Sequence, residues 1–167
     1  MLEFRKISKK ELNDIRNILN IVVNNLERKD FFIPFTEYDI GNMASEDKIL
    51  AYGAFDGNKL VGTAQLFIED RYIHEIKNIL NINNFKVADL GGYLVLPDYR
   101  NQGIMKKLET ILINKAKELN YDYIVITAHP ENTYSNAAIR NTGAELKQII
   151  TTDSGYLRNL YLLDLKK

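Results

Sequence analysis

One stretch of the chain combines residue types suited to holding an anion: Gly92-Tyr93-Leu94-Val95-Leu96-Pro97-Asp98-Tyr99-Arg100-Asn101-Gln102-Gly103-Ile104-Met105-Lys106-Lys107-Leu108. It reads as an apolar strand, a tight polar turn and the first turns of an amphipathic helix. The first N–H groups of a helix have no intrahelical partners and carry partial positive charge, so a diphosphate fits there. Gly103 has no Cβ to keep an anion off the main chain, and Arg100 can add a charge-assisted contact. The plain alternative is that Gly103 merely opens a helix and Arg100 is a solvated turn residue. The Val95-x-Pro97 step ahead of the turn and the helical pattern after it weigh against that. No Gly-Lys-Ser/Thr follows, so this is not a P-loop, and the glycine triplet of a dinucleotide fingerprint is missing.

The elements that must position this turn are legible on both sides. Residues 2–7 alternate and read as a strand. Ser8 and Glu11 predict a capping box ahead of a helix with Leu12, Ile15, Ile18, Leu19, Val22, Val23 and Leu26 on one face. Residues 31–35 are aromatic and broken by Pro34; residues 36–45 are expected as a loop or short helix. Residues 49–55 and 60–68 are strands joined by Asp56-Gly57-Asn58, a hairpin turn. Ile73, Ile76, Ile79 and Leu80 predict a short helix within 70–84, stopped at Asn81 to Asn84. A strand follows over 86–96, a helix from Gly103 to about Leu119, and a strand over 121–128. A helix over 131–141 ends at Gly143, and strands 146–151 and 156–165 close the chain around 153–155. The crossover from 86 to 128 makes its two strands parallel. The hairpins make the other pairs antiparallel, so the sheet is mixed, in an α/β (α+β) arrangement.

Composition narrows the chemistry. The 167 residues suit a single domain over 1–167, and 22 Lys+Arg balance 22 Asp+Glu. A net charge of zero argues against nucleic acid as a partner. There are no cysteines, so thiolate catalysis and Cys-ligated metal sites are excluded. With two histidines, His74 and His129, no metal site is expected. Residues 1–10 are charged and lack the apolar core of a secretory leader. No apolar run approaches the roughly 20 residues of a membrane span. A cytoplasmic protein with no membrane partner is expected.

The 92–108 segment resembles the acyl-CoA-binding motif of the GNAT superfamily of N-acyltransferases. In that pattern a strand ends in Val-x-Pro, followed by Arg or Gln, two residues, Gly, one residue, then Gly or Ala. Val95, Pro97, Arg100 and Gly103 match; Met105 departs. The element order of nearly the whole chain is similar to the family as well. The resemblance implies a GNAT-like mixed, mostly antiparallel central sheet with a parallel splayed strand pair and helices on both faces. It also implies acetyl-CoA as cosubstrate. Main-chain groups of Leu94, Val95 and Leu96 would face the pantetheine, and the turn from Arg100 and Asn101 with the amides of Gln102, Gly103, Ile104, Met105 and Lys106 would hold the diphosphate. A second segment at 132–144 is similar to the family's Asn-x-x-Ala-x-x-x-Tyr-x-x-x-Gly-Phe. Asn132 and Gly143 match; Ser135, Ile139 and Ala144 stand for the Ala, Tyr and Phe. Asn132 and Ser135 are thus further cofactor-binding candidates. The family's Tyr is its common general acid. Ile139 cannot donate a proton, so Tyr134 or Ser135 is the candidate substitute, the plain alternative for Tyr134 being a surface tyrosine.

An acceptor amine near pKa 10 must lose a proton before it attacks a thioester. The family often carries a Glu four residues before the motif valine. Gly91 stands there, so Asp89, two residues earlier on the same strand face, is the first base candidate. Tyr93 shares that face unless a bulge changes the phase. His129, at the end of the other motif strand, is the second; a turn residue bonded to the following helix is its alternative. His74 reads as exposed. The N–H of Val95 is a candidate donor to the developing oxyanion. Residues 31–38 and 70–84 are expected to wall the acceptor site. The function so implied is an N-acetyltransferase moving an acetyl group from acetyl-CoA to a primary amine of a small molecule or a peptide or protein. Direct attack in a ternary complex is expected, and a monomer or homodimer. A non-catalytic acyl-CoA-binding sensor or interaction module is the alternative, motivated by Ile139 and Gly91. RNA-directed acyl transfer is disfavoured by the neutral charge.

Overall fold

A computed structural model describes all 167 residues. In chain order the strands and helices are β1 (Leu2–Lys6), α1 (Leu12–Asn24), α2 (Glu37–Gly41), β2 (Ile49–Asp56), β3 (Lys59–Phe67), α3 (Asp70–Leu80), β4 (Val87–Val95), α4 (Ile104–Glu118), β5 (Tyr123–Ala128), α5 (Thr133–Asn141), β6 (Glu145–Thr151) and β7 (Leu157–Asp164). The seven strands form one sheet in the order β1-β2-β3-β4-β5-β7-β6. Every neighbouring pair is antiparallel except β4 and β5, which are parallel.

Local chemistry explains the element ends. The Ser8–Glu11 capping box forms, and a single 3-10 turn leads from it into α1. Its buried Glu11 is also held by Arg5. Thr36 and Asp39 form a second capping box at the start of α2. Gly57 takes φ +59° in the β2–β3 turn, and Asn81 takes φ +56° where α3 stops. Both conformations are ones that Gly and Asn tolerate at turns and helix ends.

Helices cover both faces of the sheet. On one face Ile76 of α3 and Ile82 pack on Val87, Val125 and Leu160, and Phe35 and Tyr72 pack beside Phe67 of β3. On the other face, α4 lies so close to β3 that a Cβ at Gly62 would stand 2.7 Å from Ile104. There Leu108, Leu112 and Ala116 of α4 are fully buried. Burial of such apolar stripes, at about 25 cal/mol per Å², is the dominant stabilising contribution.

The feature that opens a site is the parting of β4 and β5. They pair only at Val87 with Tyr123, Ala88 with Ile124 and Asp89 with Val125. Beyond Asp89 they diverge, while β5 continues to pair with β7 as far as Ala128. The cause lies on the other side of β4. Opposite β3, Gln65 pairs with Gly91 and Thr63 with Leu94. Gly92 and Tyr93 therefore face the single residue Ala64, a β-bulge that bends the strand. Gly92 takes φ +68° there, and a Cβ would stand 2.3 Å from the Gln65 amide and 2.7 Å from the Phe35 ring. Only glycine fits. Gln65 is fully buried and pins the bulge, its amide nitrogen donating to the carbonyls of Gly92 and Gly91 at 2.8 and 3.1 Å.

Candidate active site

The parted strands enclose a cleft of about 1300 Å³. At one end lies the turn between β4 and α4. Pro97–Tyr99 form a 3-10 turn, Asn101 and Gly103 take φ +62° and +75°, and Gly103 is the N-terminal cap of α4. The first main-chain bond of α4 runs from the Lys107 N–H to the Gly103 carbonyl. The N–H groups of the six residues from Asn101 to Lys106 donate to no protein acceptor. A Cβ at Gly103 would meet nothing within 4 Å, so a ligand has open access to them. Arg100, Asn101, Gly103, Ile104, Met105 and Lys106 all line the cleft. Gln102 contributes its N–H to the same run, with its side chain exposed. Met105 keeps the N–H that the turn needs, because that donor is independent of the side chain.

Of the three residues expected along the pantetheine, Val95 alone lines the cleft. Leu94 and Leu96 are buried, and the Leu96 N–H donates to the Val61 carbonyl at 2.9 Å. Main-chain groups alternate along a strand. Those of Leu94 and Leu96 therefore turn to β3, and those of Val95 turn to the parted side.

At the apex of the cleft is Asp89, the last residue of β4 paired with β5. It opens partly onto the cleft. Burial pushes its carboxyl up to about 7, so it changes charge near neutral pH. Its cross-strand partner is Phe67, on the face of Phe35 and Tyr72. The bulge shifts the phase of the strand, so Tyr93 does not share that face. It turns to α4 and donates its hydroxyl to Glu109 at 3.0 Å. Burial, then the Glu109 carboxylate beside it, push the Tyr93 hydroxyl well above its ordinary value. Burial likewise raises Glu109, against the contributions of Tyr93 and Lys106 that lower it. Glu109 was not singled out in the sequence. Its spacing, four residues after Met105 and three before Leu112, does put it on the buried stripe of α4.

Both segments expected to wall the acceptor site contribute to the cleft lining. Phe31, Phe32 and Phe35 line the cleft, as does Tyr72 of α3. Tyr72 donates to Asp39 at 2.6 Å. Acidic side chains near these segments are paired within the protein: Glu37 with Arg16, and Glu69 with Tyr38 and Arg71. At the far end, Tyr134 is 74% exposed, lines the cleft at the start of α5, and its hydroxyl has no partner. Ser135 lines the cleft beside it. Asn132 caps α5, its side-chain oxygen accepting from the Ser135 N–H at 3.1 Å. Ile139 is buried in the core.

His129 is not brought together with these groups. It is 5% exposed. Its Nδ1 accepts from the Glu131 N–H at 3.1 Å, and its Nε2 lies 3.4 Å from Asp30. The ring packs on Phe31, behind the cleft wall. With Nδ1 committed and Nε2 against Asp30, no nitrogen faces the cleft. His129 is thus a turn residue bonded to the chain leading into α5, as its alternative reading has it. His74 is exposed beside Asp70. No group of three or more His, Asp or Glu side chains is arranged to hold a metal. No helix is long and apolar enough to cross a membrane.

A parallel pair parted by a bulge and the unpaired amides at the following helix start thus frame one cleft. The sequence matches the acetyltransferase (GNAT) family over residues 15–143, and the chain belongs to that family. Its fold is similar to that of the ribosomal-protein-S18-alanine N-acetyltransferase of Escherichia coli, with a TM-score of 0.72 and 16% identity over 99% of this chain and 94% of that one. It is also similar to Arabidopsis thaliana NAA60 in complex with acetyl-CoA, with a TM-score of 0.76 and 12% identity over the full length of both chains. A probable acetyltransferase of Staphylococcus epidermidis gives a TM-score of 0.76 and 17% identity over 98% and 99% of the two chains. At these identities the likeness is one of fold. No curated protein matches the sequence.

Proposed function

We propose that this protein is an N-acetyltransferase that moves an acetyl group from acetyl-CoA to a primary amine by direct attack in a ternary complex. One observation carries the reading. A titratable carboxyl at the apex of a strand gap shares a single cleft with a run of six unpartnered main-chain N–H groups, five of whose residues line it. The first suits an amine that must lose a proton, the second a diphosphate that must be held.

The residues divide the work. Asn101 to Lys106 bind the diphosphate through main-chain amides, and Arg100 and Lys106 add charge. Val95 offers its N–H and carbonyl to the pantetheine as an added strand would, and its N–H is placed for the oxyanion that forms at the thioester carbonyl. Asp89 takes the proton from the acceptor ammonium, directly or through water. The freed amine forms the C–N bond, the C–S bond breaks, the thiolate takes a proton from Tyr134, and the second proton shed by the new amide nitrogen passes through water to restore the Tyr134 hydroxyl. The chemical logic favours Asp89 over His129, because a base needs a free lone pair on the substrate side. Asn132 and Ser135 hold the start of α5 against the cleft, with the Ser135 hydroxyl near the same ligand. The whole chain, 1–167, acts as one acetyltransferase domain.

Free-thiol release from acetyl-CoA with a panel of amines tests this reading. Turnover with at least one amine, lost in Asp89→Asn, is expected. Tight acetyl-CoA binding with no turnover on any amine would favour a non-catalytic acyl-CoA sensor instead.

A further inference from the structure

Arg158, near the start of β7, is 2% exposed and lines the cleft. None of the ion pairs of the molecule includes it. Its one protein hydrogen bond runs from Nη1 to the carbonyl of its neighbour Leu157 at 2.7 Å, and its guanidinium lies 5.3 Å from the centre of the Tyr156 ring. The remaining N–H donors have no protein acceptor. Asp30 is the acid whose field reaches it, but Asp30 is held by Arg28 at 2.8 Å and faces His129. A buried guanidinium without a carboxylate partner is costly to keep, since a charge out of water needs pairing. Burial accordingly lowers its proton affinity.

Its position gives the unpaired charge a meaning. On β7, Arg158 stands two residues before Leu160, which packs with Val87 and Val125 beneath α3. Alternation puts Arg158 on that same sheet face, and Asp89 is on it too, two residues from Val87. The other cations of the cleft lining, Arg100 and Lys106, belong to the diphosphate turn. The acceptor face thus holds one carboxyl that titrates near neutral pH and one buried, unpaired guanidinium, with the Phe35, Phe67, Tyr72 and Tyr156 rings around them. We infer that the acceptor is a free amino acid or close analogue, its amine directed to Asp89, its carboxylate bound by Arg158 and its apolar side chain against the aromatic wall. A guanidinium meets a carboxylate through two parallel N–H donors, which fixes orientation as well as charge.

This inference rests on the acetyltransferase reading and is tested apart from it. Thiol release is measured with apolar amino acids, with the matching carboxamides, with spermidine, and with a tripeptide beginning in Asp. Expected is a preference for phenylalanine or leucine over its amide of about ten- to a hundredfold in kcat/KM, the worth of one charged hydrogen-bonded contact. In Arg158→Gln that ratio should fall towards one while acetyl-CoA affinity holds. Arg158→Lys should retain part of it and guards against a folding defect. Equal or better turnover of the amides, of spermidine or of the peptide would overturn the inference and leave the acetyltransferase reading intact. If no amine releases thiol, that reading fails. The inference is then decided by whether phenylalanine, and not phenylalaninamide, raises the melting temperature of the CoA-loaded protein in an Arg158-dependent way. No such difference would overturn it.

Discussion

The two ends of the cleft are built by different means. The end proposed to hold the diphosphate is one continuous segment, residues 97–107, and most of its donors are main-chain N–H groups. The end proposed to hold the acceptor draws side chains from the 31–39 segment, β3, α3, β4 and β7. A backbone site depends on chain conformation, fixed at Asn101 and Gly103 by left-handed dihedral angles. A side-chain site depends on the whole sheet being assembled in register. The first is therefore expected to tolerate side-chain substitution better than the second.

The sharpest way to break that contrast is to change single groups at each end. Asp89→Asn, nearly isosteric, should lower kcat by about 100-fold or more, the usual worth of a general base. Acetyl-CoA affinity by calorimetry should be unchanged. A loss of affinity instead would mean that Asp89 organises the cleft rather than taking a proton. The wild-type rate should rise with pH through an acid limb near 7, the value to which burial pushes Asp89, and the limb should vanish in the variant. At the other end, Arg100→Ala should weaken acetyl-CoA by about tenfold or less, a single charge-assisted contact added to a backbone cradle. A thousandfold loss would show that the side chain dominates. Tyr134→Phe should reduce kcat by about tenfold with affinity intact, the low end of acid catalysis for an exposed hydroxyl whose place water can partly take. An unchanged rate in single-turnover measurements would remove Tyr134 from the mechanism.

Stability offers a smaller effect with a definite sign. The folded protein holds the Asp89 proton up to about pH 7, whereas an unfolded chain releases it near the ordinary value of 3.8. Between those values the folded state binds more protons, so stability falls as pH rises and levels off above 7. Asp89→Asn removes the cost of a buried carboxylate. Its melting temperature should exceed that of the wild type at pH 8, and the difference should shrink towards pH 4. A difference independent of pH would contradict the raised value.

Legibility in the sequence divides along the same line. The strand–turn–helix at 92–108 was readable because its information is local: Pro97, Arg100 and Gly103 lie within a few residues of one another. The element order and the mixed sheet were readable from periodicity and from turn residues such as Gly57. The exact place of the bulge was not, since it is a two-against-one mismatch between β4 and β3, and Gly92 gives no hint of the Gln65 and Phe35 contacts that demand glycine. His129 has the right chemical type and the right strand end, but the Glu131 N–H and Asp30 occupy its nitrogens. Glu109 and Arg158 are inconspicuous in the sequence because each is a charge within a largely apolar run. Spacing alone, set against Leu112 for one and Leu160 for the other, points both inward.

Calorimetric titration of acetyl-CoA into wild-type protein and into Gly103→Asp bears most directly on the whole account. The open space at Gly103 means that the Asp side chain lodges without a clash, though the left-handed φ costs about 1–2 kcal/mol. Its charge would then stand where a diphosphate belongs. One-to-one binding to the wild type, with affinity lost by about 100-fold or more in a variant whose circular dichroism is native, is the predicted result. Undiminished affinity in the folded variant, or no heat with the wild type, would contradict it.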